Sequence, residues 1–162
     1  MSHWLSRTQN HRARRQAADS ASVMKQEHEV KRARILVAED HQLVLQRVRI
    51  LLQSAFEVVG DAHTGREMVA EAIRLKPDLI VADIGMPELS GIEAARELRK
   101  EGLVTKLVFL TIYSQDAFID ACMAEGALGY VVKSHMNTDL IPAIHEALAG
   151  RLFISGLQQD RP

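Results

Sequence analysis

This sequence has a single cysteine, no long apolar run and none of the glycine-rich loops that bind nucleotide phosphates. Cys122 therefore cannot form an intramolecular disulfide, which favours a reducing cytoplasm. No apolar stretch approaches the roughly 20 residues that span a bilayer. The first residues lack the apolar core of a secretory signal, so we expect no membrane association. Without a P-loop or a dinucleotide fingerprint, an ordinary nucleotide-dependent enzyme is disfavoured.

Charge is distributed unevenly along the 162 residues, although the net charge is only −1. Residues 1–34 contain eight Lys or Arg against three Asp or Glu, whereas the remainder contains 12 basic and 18 acidic residues. Residues 1–33 also show little apolar periodicity, so we predict a basic, disordered N-terminal tail there. Two alternatives stay open: an arm that binds nucleic acid, and a natural start at Met24 that would make residues 1–23 non-native.

From residue 34 onward, short apolar runs alternate with amphipathic stretches. The run DLIVAD at 78–83 is nearly continuous, which is typical of a parallel strand covered on both faces. Val44, Val48 and Leu51 recur at helical spacing after the first run. Strands are predicted near 33–39, 56–62, 78–83, 106–112 and 129–133.

Alternating strands and helices predict one α/β domain over residues 34–150. Because crossovers between parallel strands are right-handed, few topologies remain. We predict a flavodoxin-like, doubly wound parallel sheet of five strands in the order 2-1-3-4-5. Residues 151–162 are interpreted as a linker remnant or tail.

Polar residues also predict where some helices begin. Ser90 and Glu93 have the spacing of a capping box at the start of the third helix. Ser114 and Asn137 are predicted to cap the fourth and fifth helices.

Five polar residues lie at the ends of predicted strands: Glu39, Asp40, Asp83, Thr111 and Lys133. The carboxyl ends of parallel strands meet at one edge of an open sheet, and ligands bind beyond that edge. Carboxylates gathered there would repel one another unless a hard cation joined them, and Mg²⁺ suits oxygen ligands. The pattern indicates a divalent metal that handles a phosphoryl group. Each residue alone also fits an unrelated strand end or, for Asp40, a helix cap.

A family resemblance rests on four segments: AEDH (38–41), VADIGMPELSGIEAAREL (81–98), LTIYSQD (110–116) and GALGYVVKS (126–134). Together they resemble the receiver domain of bacterial two-component response regulators, in particular the NarL/FixJ type with its LuxR-like output domain. The resemblance covers residues 34–150.

The resemblance implies a role for each acidic residue. Asp83 is expected to accept a phosphoryl group from a sensor histidine kinase. Asp40, Asp83 and the backbone carbonyl of Gly85 are expected to ligate Mg²⁺, with Glu39 acting largely through a metal-bound water. The chain would then be a signalling switch that catalyses its own phosphorylation and dephosphorylation, rather than an enzyme acting on other molecules.

The resemblance also implies how such a switch works. Lys133 is expected to pair with one phosphoryl oxygen and Thr111 to hydrogen-bond another. Movement of Thr111 would let Tyr130 turn inward and reshape the face made by the fourth helix, fifth strand and fifth helix. From sequence alone, Tyr130 is expected to be a half-buried strand aromatic.

Three residues depart from the common receiver pattern, one of them being Ser134, which stands where many receivers place a proline after the lysine. Glu39 stands where aspartate is more usual, which is expected to alter metal geometry or affinity. Ile112 follows Thr111 where many receivers have Ala or Gly, and its bulk is expected to narrow access to Asp83.

Members of the NarL/FixJ type usually continue into a DNA-binding helix-turn-helix, and no such module follows Gly150 in this sequence. DNA is therefore expected as a partner only through a missing output domain, and phosphorylation is expected to promote a homodimer. A stand-alone receiver acting through protein contacts is the alternative. A receiver that signals without phosphate, a haloacid dehalogenase-type phosphatase and a flavodoxin-type cofactor carrier are disfavoured. The phosphatase would need a D-x-D after the first strand, and the carrier a phosphate loop.

Overall fold

The computed structural model describes residues 31–156. The predicted tail falls almost wholly on residues 1–30, which lie outside the described part, as do residues 157–162.

Within residues 31–156, six parallel strands form one sheet in the order β2-β1-β3-β4-β5-β6. The predicted order of the first five strands is confirmed. The sixth strand was not predicted, because two residues are too few to show an alternating pattern. It lies in the segment that we interpreted as a linker remnant or tail. The strands are β1 (Arg34–Ala38), β2 (Glu57–Ala62), β3 (Leu79–Ala82), β4 (Lys106–Thr111), β5 (Gly129–Val132) and β6 (Phe153–Ile154).

Five α-helices in the described chain connect these strands and cover both faces of the sheet. They are α1 (Gln42–Leu52), α2 (Gly65–Leu75), α3 (Gly91–Lys100), α4 (Asp116–Ala124) and α5 (Met136–Leu148). Alternate residues of β1 point to opposite faces of the sheet and pack against different helices. Ile35 and Val37 pack with α1 and α5, whereas Leu36 and Ala38 pack with α2 and α3. The doubly wound architecture is therefore confirmed.

The structure confirms one predicted helix cap and contradicts two. Ser90 Oγ accepts from Glu93 N–H at 3.2 Å, and the Glu93 carboxylate accepts from Ser90 N–H at 2.9 Å, which completes the capping box. The predicted caps Ser114 and Asn137 are wrong. Helix α4 begins after Gln115, one residue beyond Ser114. A 3-10 turn at Lys133–His135 precedes α5, so α5 begins at Met136 and Asn137 already lies inside it.

A close backbone approach at Gly91 fixes the loop that follows β3. Gly91 N–H donates to Ile84 O at 2.9 Å. A Cβ at this position would lie 2.0 Å from Asp83 O, which is far inside van der Waals contact. Only glycine therefore allows the first residue of α3 to lie against Asp83, the residue that follows β3.

We expect Gly91→Ala to destabilise the protein by about 2 kcal/mol or more, because the clash is with rigid backbone. Urea unfolding would measure the loss. Gly60→Ala is the matched control. A Cβ there would meet Leu75 Cδ1, the end of a flexible side chain, at 2.7 Å. An equal loss in both variants would contradict the importance of the Gly91 contact.

Candidate functional site

Backbone pairing beyond the strands brings the first acidic residues together. Glu39 N–H donates to Ala62 O, and Asp83 N–H donates to Ala38 O, each at 2.9 Å. These bonds continue the pairing of β1 with β2 and with β3 by one residue. Glu39 and Asp83 consequently lie side by side at the carboxyl edge of the sheet.

Three carboxylates and one imidazole converge at this edge. Glu39, Asp40, His41 and Asp83 each offer a ligand atom, and these atoms all lie within 4.8 Å of one another. Glu39 is 2% exposed and Asp83 is 5% exposed. A set dominated by buried carboxylate oxygens fits a hard divalent cation such as Mg²⁺.

His41 was not among the predicted site residues, and its side chain is 69% exposed. Its Nδ1 lies 3.1 Å from Asp40 Oδ1 and 3.3 Å from Glu39 Oε1. Its backbone N–H donates to Glu39 Oε1 at 3.0 Å. Direct adjacency to the two acidic residues was the only available signal in the sequence.

Lys133 lies between two of the carboxylates. Its Nζ is 2.8 Å from Glu39 Oε2 and 3.1 Å from Asp83 Oδ2. Glu39 Oε2 has no other hydrogen-bond donor among the described residues. Burial alone would lower the pKa of Lys133, because it disfavours the charged amine. Hydrogen bonds and charge attraction from Glu39 and Asp83 outweigh burial, so the pKa of Lys133 is raised. The ammonium thus compensates the buried negative charge.

The orientation of the Asp83 carboxylate is fixed from both sides. Its Oδ1 accepts from Ile84 N–H at 2.8 Å, while Oδ2 faces Lys133. Gly85 follows in the same loop. A Cβ there would lie 4.0 Å from Asp83 Oδ2 and 3.7 Å from the Tyr113 hydroxyl, so Gly85 borders the carboxylate.

Thr111 lies at the end of β4 and is completely buried. Its Oγ1 accepts from Tyr113 N–H at 3.4 Å, a long contact. No hydrogen bond joins Thr111 to Asp83 within residues 31–156. The structure therefore brings Thr111 to the same edge without a direct bond to the acidic group.

Tyr130 is completely buried rather than half-buried. Its hydroxyl donates to Tyr113 O at 2.8 Å, so the ring is already turned inward in this structure. Burial, and secondarily Cys122, raises the pKa of Tyr130 to about 12.

Tyr113 is a second residue that sequence reasoning missed. Its ring stacks on Phe118 of α4, with centroids 4.2 Å apart and an interplanar angle of 15°. Cys122 is the only fully buried residue of α4. Tyr113 thus links the candidate site, Tyr130 and a lightly buried helix. Its position two residues after Thr111 gave no usable signal.

Comparison with known proteins identifies the fold and its family. A family model described as the response regulator receiver domain matches residues 35–145. The chain belongs to the response regulator receiver family. That match includes every predicted site residue, and the phosphatase alternative finds no support in these comparisons.

Curated relatives of this receiver are longer than the matched region. The transcriptional regulatory protein PdtaR of Mycobacterium tuberculosis is 36% identical over 128 residues, which cover 78% of this chain and 62% of the relative. Response regulator GacA of Pseudomonas viridiflava is 35% identical over 75% of this chain and 58% of its own length. The chain thus spans about 60% of the length of these relatives.

Solved structures agree with this assignment. A two-component response regulator of the LuxR family from Aurantimonas sp. SI85-9A1 superposes with a TM-score of 0.74 at 32% identity, covering 77% of this chain and 91% of that one. The signal receiver domain of a putative NarL from Mycobacterium tuberculosis gives 0.71 at 25% identity, covering 75% and 99%. Within residues 31–156, no helix is long and apolar enough to cross a membrane.

The raised pKa of Tyr130 predicts a pH dependence at the alkaline end. The folded state favours the neutral phenol, so this stabilisation is full below pH 10 and is lost as the pH rises from 10 to about 12. We expect a late phenolate absorbance step in the wild type that is absent from Tyr130→Phe. An unchanged titration in Tyr130→Phe would contradict the assignment.

The position of Lys133 predicts a stability effect that a cation can partly reverse. We expect Lys133→Met to destabilise the protein by about 3 kcal/mol, because two nearly buried carboxylates lose their partner. Added Mg²⁺ should restore part of this loss. Chemical denaturation with and without Mg²⁺ would measure both effects. The exposed Lys100→Met is the control, and an equal loss there would refute the interpretation.

Proposed function

We propose that this chain is a phosphorylation-dependent receiver in which Asp83 accepts a phosphoryl group from a sensor histidine kinase. The supporting observation is the placement of Lys133 Nζ at 3.1 Å from Asp83 Oδ2, beside the acidic cluster. One positively charged donor and several carboxylates surround a single, fixed carboxylate. That arrangement suits phosphoryl transfer, where positioning and charge neutralisation supply most of the catalysis.

The acidic cluster is proposed to hold Mg²⁺. Asp40 and Asp83 would be direct ligands together with the backbone carbonyl of Gly85, and Glu39 would act through a metal-bound water. When bound, Mg²⁺ supplies charge neutralisation for the phosphoryl oxygens. Both carboxylate oxygens of Glu39 already have partners: Oε2 pairs with Lys133, and Oε1 accepts from His41 N–H. This agrees with an indirect role of Glu39 toward the metal.

The transfer step requires one bond to form and one to break. An Asp83 carboxylate oxygen forms a bond to phosphorus while the phosphorus–nitrogen bond of the donor's phosphohistidine breaks. The bonding electron pair stays on the imidazole nitrogen. Lys133 stabilises one phosphoryl oxygen, and the Thr111 hydroxyl donates to another after leaving its long contact with Tyr113 N–H.

The proposed output is a change in the face formed by α4, β5 and α5. Tyr130 is already inward here, so phosphorylation would act by favouring this position rather than by creating it. The Tyr113–Phe118 stack and the Tyr130–Tyr113 hydrogen bond connect that position to α4.

The proposed biological setting follows the receiver family. A cognate sensor histidine kinase in the cytoplasm would be the phosphoryl donor, and phosphorylation would promote a homodimer. Regulation of transcription, and with it DNA binding, would depend on an output domain outside residues 34–150. The receiver itself would be a switch with self-catalysed phosphotransfer.

Acetyl phosphate, a small phosphoryl donor, tests the proposal in the presence of Mg²⁺, and beryllofluoride serves as an unreactive mimic of the phosphoryl group itself. We expect the wild-type protein to gain one acid-stable, base-labile phosphoryl group by mass spectrometry, and Asp83→Ala to gain none. Asp116→Ala is the matched control, because Asp116 is an exposed carboxylate at the start of α4. An unmodified wild type would overturn the proposal, and turnover of many small phosphate esters would favour a phosphatase.

A further inference from the structure

Strand β6 continues the hydrogen bonding of β5 at the edge of the sheet. Phe153 N–H donates to Leu128 O at 2.9 Å, and Ser155 N–H donates to Tyr130 O at 2.8 Å. One step further, Val132 N–H donates to Ser155 Oγ at 3.3 Å. A side-chain hydroxyl there takes the place of a backbone carbonyl. The edge of β5, which would otherwise be open, is thus paired at three successive positions.

Ser155 also joins this edge to the neighbouring helix. While its Oγ accepts from Val132, it donates to Asp139 Oδ2 at 2.7 Å. Asp139 lies in the first turn of α5. One hydroxyl therefore connects β5, α5 and the segment that carries β6.

The two side chains of β6 pack on opposite faces of the sheet. Phe153 is nearly buried in the core that includes Val131 and Leu140. Ile154 packs with the other core, which includes Tyr130. Ile154 and Tyr130 are also partners in register on adjacent parallel strands. Their side chains consequently stand next to each other on one face.

The inward ring of Tyr130 leaves room for Ile154. The Tyr130 hydroxyl reaches Tyr113 O, just beyond the end of β4, so the ring leans away from β6. On the β6 side of β5 the register partner of Tyr130 is Ile154, so a ring turned the other way would approach that side chain. The inward ring and the docked strand are therefore compatible, whereas the outward ring and the docked strand compete.

We propose that the edge of β5 is a docking surface for the chain's own β6 segment, and that docking of β6 and the inward position of Tyr130 stabilise each other. A strand of two residues opens readily, so the position of the Tyr130 ring can shift the balance between docked and undocked β6. This inference rests on the proposed function only for its last step. If phosphorylation of Asp83 favours the inward ring, it also tightens β6, and the segment after residue 156 receives the signal.

The coupling between Tyr130 and β6 can be measured without any phosphoryl donor. Amide hydrogen exchange by NMR reports β6 docking through Ser155 N–H, and exchange of the Tyr130 hydroxyl proton reports the ring. We expect Tyr130→Ala to speed exchange at Ser155 about tenfold, and Ile154→Ala to speed exchange of the Tyr130 hydroxyl by a similar factor.

Two controls separate coupling from general loosening. Leu152→Ala removes a half-exposed side chain of the same segment and should change neither signal. The amide of Val81, in the central strand β3, should stay protected in every variant. If Ile154→Ala and Tyr130→Ala leave each other's signals unchanged, the proposal is wrong. It is equally wrong if Leu152→Ala has the same effect.

Beryllofluoride with Mg²⁺ tests the last step on the same proteins. We expect it to slow exchange at Phe153 and Ser155 about fivefold or more in the wild type. Because coupling is reciprocal, Ile154→Ala and Ser155→Ala should weaken beryllofluoride binding, by at most the same factor. Binding without a change at β6 would overturn the inference. If beryllofluoride does not bind at Asp83, the proposed function is overturned instead. The coupling between Tyr130 and β6 is then decided by the hydrogen-exchange data alone.

Discussion

The ion pairs of Lys133 with Glu39 and Asp83 are the interaction on which the site depends. A buried carboxylate without compensation costs several kcal/mol, so two neighbouring carboxylates need a cation beside them. Each partner comes from the end of a different strand, namely β1, β3 and β5. The ion pairs can therefore form only when those strands have the observed order and register. Fold and electrostatics are specified together at this edge.

The central part of the molecule was predictable because burial on both faces leaves a strong pattern in sequence. The runs ending at Glu39 and Asp83 are almost wholly apolar, and each polar residue marks the point where a strand leaves the core. The strand order then places those residues together without any knowledge of side-chain contacts. The capping box at Ser90 and Glu93 was predictable for a similar reason, since its two hydrogen bonds need a fixed spacing.

Features that depend on packing between distant segments were not predictable. The stack of Tyr113 on Phe118 and the inward ring of Tyr130 depend on how the loop after β4 meets α4. Periodicity says nothing about such a loop. Strand β6 is too short for a pattern, and Ser155 supplies a side-chain acceptor and donor at the point where its backbone ladder ends. The identities of these residues were visible in sequence, but their partners were not.

The opposite edge of the sheet is formed by β2, which is irregular and carries charged residues. The pairing of β1 with β2 shifts between Ile35 and Leu36, so β2 carries one extra residue and its edge is locally irregular. Glu57 is exposed on this strand, and Asp61 forms an ion pair with Arg49. Charge and irregularity discourage a second chain from adding a strand there, just as β6 occupies the edge of β5. Within residues 31–156, neither edge of the sheet is a long, regular strand that could easily template aggregation.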